Sequence, residues 1–135
     1  VTVVMGILAA VAIPSYQKSV EQGYRREAQD LLMTIYHGER AYYFAEREYH
    51  GPLDDSSAQA EWRRIFLDNP SLGSVPVTFD VQVDNADPDP ANRTFTATAS
   101  RVGGSGGSKT MTINQLREWC GGMTDPASCD GSWAP

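Results

Sequence analysis

The chain has 135 residues, 41% of them hydrophobic, which is enough for one modest core and one domain. Its 11 Lys and Arg stand against 17 Asp and Glu, for a formal net charge of −6. That summed field repels polyphosphate, so no general nucleic-acid binding is expected, although a local basic patch stays open.

The first stretch, VTVVMGILAAVAIPSY (1–16), is interrupted only by Thr2 before Pro14. As a helix, residues 1–14 rise about 20 Å against a hydrocarbon core of about 30 Å, which is too short to span it. A secretory signal is a poor fit, because the run starts without positive charge and passes through Pro14 into an amphipathic pattern. Beyond Pro14 the apolar positions Tyr16, Val20, Tyr24, Ala28, Leu31, Leu32, Ile35 and Tyr36 are spaced by three and four, with Tyr42, Tyr43 and Phe44 following. Glu21 and Arg25 are placed for an i,i+4 pair on the polar side. The pattern predicts helix to about Tyr49, ended by Gly51 and Pro52. Such a rod is about 70 Å long, and a head of about 90 residues has a radius of gyration near 12 Å. Half the helix must therefore protrude, and its apolar half needs lipid or other copies of itself.

The connection after Gly51 holds one short helix candidate, with Ser57 as N-cap, Trp62, Ile65 and Phe66 as its apolar face and Pro70 as its stop. From Val75 the period becomes two. Val75, Val77, Phe79, Val81 and Val83 form one alternating run, Phe95, Ala97 and Ala99 a second, Met111 and Ile113 a third. The links DNADPDPAN (84–92) and GGSGG (103–107) carry turn chemistry. The fold class expected is α+β: a long N-terminal helix packed on a small antiparallel sheet of three to four strands. Residues 1–50 form the helix, with 1–14 protruding and 15–50 packed on the head. Residues 51–74 form the connection, and 75–135 the sheet and a C-terminal loop.

Candidate chemistry is sparse. His37 and His50 stand thirteen residues apart with no Ser, Cys and carboxylate arrangement at a recognised spacing, so both read as helix-surface or helix-end residues and no enzyme is expected. Tyr36, Tyr42, Tyr43, Phe44 and Tyr49 read as the packing face under the sheet rather than a stacking site. Asp84, Asp87 and Asp89 offer alternating oxygens that suit calcium, but Asn85, Pro88 and Pro90 make an ordinary turn the better reading, and no metal or cofactor is expected. Asn92-Arg93-Thr94 makes Asn92 a candidate glycosylation site. The two cysteines, Cys120 and Cys129, have no His nearby and no second pair, so a zinc site lacks ligands; a local disulfide is favoured over a reduced pair.

This order of elements resembles the type IV pilins. The resemblance is carried by MGILAAVAIPSYQ (5–17), by TFTATASRVGGSGGSKTMTINQLREWCGG (94–122) and by the closing CDGSW (129–133). It implies a subunit that sits in the inner membrane before assembly. It then polymerises, with the pilus assembly machinery, into an extracellular homo-oligomeric helical filament for adhesion, motility or surface attachment. Val3, Val4, Met5, Gly6, Ile7, Leu8, Val11, Ile13 and Pro14 would carry that assembly. The resemblance also implies a helix extending beyond Val1 through a short apolar stretch with a glutamate, and loss of regular helix somewhere within Met5–Pro14 in the filament. The alternatives are a minor, tip-located pilin that binds DNA or a surface, and a type II secretion pseudopilin.

Overall fold

The computed structural model describes residues 2–104 and 107–120. Helix α1 spans Thr2–Glu46 and runs unbroken through Pro14. Its length of 45 residues corresponds to about 67 Å. A short α2 spans Gln59–Trp62. Strands β1 (Val77–Asp84), β2 (Thr94–Gly104) and β3 (Gly107–Asn114) form one antiparallel sheet in the order β1-β2-β3. The α+β meander with one face on the long helix is therefore as expected.

Alternation along the strands sets the core. In one layer Ala99 of β2 lies between Phe79 and Met111; in the next, Ala97 lies between Val81 and Ile113. Alanines in the central strand leave room for α1, which crosses β2 and β3 and inserts Ala28, Leu32 and Ile35. Large buried residues on the flanking strands, Phe79, Val81, Met111 and Ile113, close the sides. Each sheet edge carries one isolated bridge among the described residues. Leu53 exchanges two backbone hydrogen bonds with Val81 on the outer edge of β1, at 2.9 and 2.7 Å. On β3, Trp119 bridges Ile113 and the Cys120 N–H donates to the Thr112 carbonyl at 2.9 Å.

Several local expectations change. The helix ends at Glu46, three residues before the expected Tyr49, because Arg47 adopts a left-handed φ of 62° and its N–H closes the last turn on the Tyr43 carbonyl. Packing on the head begins at Val20; Tyr16 is 72% exposed, so the protruding part extends past Pro14. Glu21 does not pair along the helix with Arg25 but across it with Arg101, at 3.0 Å. Ser57 does not cap α2, whose N-cap is Ala58; its hydroxyl instead bonds Asp54. Trp62 and Ile65 are buried, but Phe66 turns outward, 75% exposed with φ 66°, because the chain reverses there at the end of a 3-10 turn. Pro70 is not a helix stop but opens a second such turn, capped by Asn69. Val75 is buried yet precedes β1, its carbonyl receiving the Val77 N–H.

Candidate functional site

Two surfaces stand out, at opposite ends of α1. At the N-terminal end, Val3, Val4, Met5, Ile7, Leu8, Val11 and Ile13 are each more than half exposed, and Gly6 and Pro14 lie among them on bare helix. With its continuation, this run gives an 18-residue window apolar enough to cross a membrane, none of it buried. Where residues 1–14 alone fall short, the unbroken passage through Pro14 supplies the missing length. A contiguous apolar surface of this extent marks a segment that lipid or protein covers. Where the rod meets the head, Tyr16, Gln17, Val20, Glu21, Tyr24 and Arg101 line a shallow groove of about 200 Å³. The Arg101 guanidinium lies 5.2 Å from the Tyr24 ring centre.

At the other end, Arg40, Tyr43 and Phe44 share one helix face through their three- and four-residue spacing, and Arg47 follows as the left-handed residue just beyond the helix. The Arg40 guanidinium sits 5.1 Å from the Phe44 ring centre and 5.9 Å from that of Tyr43. Tyr43 stacks on Tyr49 at 4.9 Å and donates its hydroxyl to the Pro90 carbonyl at 2.9 Å, tying the helix to the β1–β2 loop. Arg93 completes the join by donating to the Arg47 carbonyl at 2.7 Å and the Asp87 carbonyl at 3.2 Å. Among the described residues, Arg40, Arg47 and Arg93 have no carboxylate within ion-pair distance, whereas Arg63, Arg64 and Arg101 do. Tyr49 is buried beneath this cluster, and burial pushes its phenol up against the opposing pull of Arg40.

The sequence-predicted residues distribute as follows. Tyr49 is core, and Tyr36, Tyr42 and Tyr43 pack against it, but Phe44 departs from the predicted packing face and is 65% exposed. Asp84, Asp87 and Asp89 each accept the N–H two residues on, from Ala86, Asp89 and Ala91, which is ordinary turn chemistry. Asn92 is exposed, with its amide 3.3 Å from Asp87. His37 is exposed, while His50 is half-buried with Nε2 3.1 Å from Glu61. Cys120 sits at the β3 edge; its expected partner, Cys129, lies outside the described residues. The signal missed in the sequence was RAYYFAER (40–47), in which Arg40 precedes Phe44 by one helical turn and Arg47 follows it, together with Arg93 in the β1–β2 loop.

A family model described as "Type IV minor pilin ComP, DNA uptake sequence receptor" matches residues 14–124. The chain belongs to this family. No curated protein and no solved structure matches it. As a type IV pilin, it has the long apolar helix and the sheet-bearing head that its sequence predicts. The match includes Arg40, Phe44, Arg47 and Arg93, and an exposed apolar helix fits a membrane-anchored, pilus-associated protein.

Proposed function

We propose that this chain is a minor subunit of a type IV pilus whose head binds DNA, and that it is not an enzyme. The observation that carries the reading is the family match, because the matching family is described as a DNA uptake sequence receptor. It favours the alternative given above, a minor pilin that binds DNA or a surface, over a major filament subunit, and it counts against the expectation of no general nucleic-acid binding. That expectation rested on net charge, which averages over the whole chain. Local charge differs: at the end of α1 Arg93 donates to the Arg47 carbonyl, and Arg40, Arg47 and Arg93 have no carboxylate within ion-pair distance among the described residues. Phosphate contacts need only such a local patch, since they act over about a Debye length of 8–10 Å.

The rod serves assembly. Its exposed apolar residues, Val3 to Pro14, enter the membrane before assembly and the packed core of a pilus afterwards, delivered there by the assembly machinery. At about 25 cal/mol per Å² of apolar area removed from water, that burial dominates association. The Cys120–Cys129 disulfide belongs to the same reading, as a staple on the segment after β3.

The test is titration of labelled duplex DNA with the detergent-solubilised full chain at several salt concentrations. Expected is binding whose log K falls linearly with log salt, and enrichment of one short sequence class from a pool of genomic fragments. Absence of binding at about 50 mM salt would refute the receptor reading. Sheared filaments decide the remaining question, since a major subunit would be their bulk protein and a minor one a trace.

A further inference from the structure

We propose that Phe44, backed by the Arg40 guanidinium, is a stacking platform for an unstacked DNA base, with Arg47 and Arg93 engaging the flanking phosphates. This rests on the DNA-receptor reading and assigns residues and a chemical mode to it. Three observations carry it. Phe44 is 65% exposed although Tyr43 and Tyr49, stacked beside it, already supply the aromatic packing between helix and loop. The Phe44 ring's own packing in the head is an edge contact with Tyr43 at 6.3 Å. The guanidinium of Arg40 lies 5.1 Å from its centre while most of the ring stays open to solvent, so one cation polarises a π-surface that remains available.

The third observation is the state of the surrounding charge. Arg47 and Arg93 meet at a single hydrogen bond from guanidinium to backbone carbonyl, and neither has a carboxylate partner among the described residues. A phosphate approaching them breaks no ion pair. An exposed phenylalanine alone would need no explanation. One with a guanidinium 5.1 Å from its centre, three residues before an arginine whose carbonyl holds Arg93, matches what single-stranded and locally opened nucleic acid uses: rings for base faces and cations for the backbone. Every base has a π-face, so this contact adds affinity and leaves sequence choice to other residues.

The experiment measures binding of the full solubilised chain to single-stranded and duplex oligonucleotides carrying 2-aminopurine, whose fluorescence reports stacking. Phe44→Ala is expected to weaken binding about 5- to 150-fold and to abolish the fluorescence change, with an unchanged salt slope because no charge is removed. Phe44→Trp should retain both signals. Arg47→Gln should instead lower the salt slope by about one. Because Phe44 is exposed, the melting temperature of Phe44→Ala should match that of the parent, which separates lost stacking from lost fold. The proposal is overturned if Phe44→Ala binds as tightly as the parent, if Phe44→Leu restores full affinity, or if the salt slope falls with Phe44→Ala, since the loss then runs through Arg40. A parent chain that binds no DNA overturns the receptor reading itself.

Discussion

The backbone N–H of His50 donates to Glu39 Oε2 at 2.8 Å, inside the head. Glu39 is fully buried, and its other oxygen, Oε1, has no hydrogen-bond partner. Burial pushes this carboxyl up to about 8, opposed only in part by the His50 hydrogen bond. A carboxyl raised in the folded state binds more protons folded than unfolded between the ordinary value and about 8. Its contribution is fully present below the unfolded value and is lost as pH rises through about 8, at up to about 1.4 kcal/mol per pH unit. Glu39→Gln keeps an acceptor for His50 but cannot ionise. Thermal unfolding from pH 5 to pH 9 should show the parent losing stability across that window and the variant staying flat, with the variant the more stable at the alkaline end.

Gly38 faces Ile65, where a Cβ would run into the Ile65 backbone carbonyl oxygen. Backbone cannot step aside as a side chain can. Gly38→Ala should therefore destabilise by about 2 kcal/mol, the helix-propensity gain of about 1 kcal/mol notwithstanding. Gly23, on the same helix with open space around it, is the control: Gly23→Ala should stabilise by up to about 1 kcal/mol. Denaturant melts of the two variants, run side by side, check both signs.

Phe66 holds φ 66° while 75% exposed, so its side chain pays left-handed strain and recovers little burial. Phe66→Gly should raise stability by about 1 kcal/mol, read as a higher melting temperature. A lower one would mean the ring contributes packing beyond its exposed area.

Asp89 caps the turn Pro90–Asn92 by accepting the Ala91 N–H at 3.0 Å, and it stands on the same loop as Arg93. Asparagine can make that cap without the charge. Asp89→Asn should leave stability within about 0.5 kcal/mol and raise DNA affinity about two-fold at low salt, with the gain shrinking as salt screens it. Anisotropy titrations at two salt concentrations measure it.

What the sequence determined by itself was the set of elements and their facing. A three-to-four spacing through Ala28, Leu32 and Ile35 and a two-residue alternation through Phe79, Ala97 and Met111 leave one apolar side each, and those sides can only be buried against one another. The bare apolar run to Pro14 announced a segment needing cover for the same reason. Only the tertiary structure decided matters that depend on residues far apart in the chain. Glu21 took Arg101, eighty residues on, over its helical neighbour Arg25, because the β2–β3 hairpin returns to that face of the helix. Phe44 turned outward because Tyr43 and Tyr49 filled the space between helix and loop first. The meeting of Arg47 and Arg93 was hidden for the same reason: periodicity reports which side of an element is apolar, whereas this contact belongs to a meeting of two elements, the end of α1 and the β1–β2 loop.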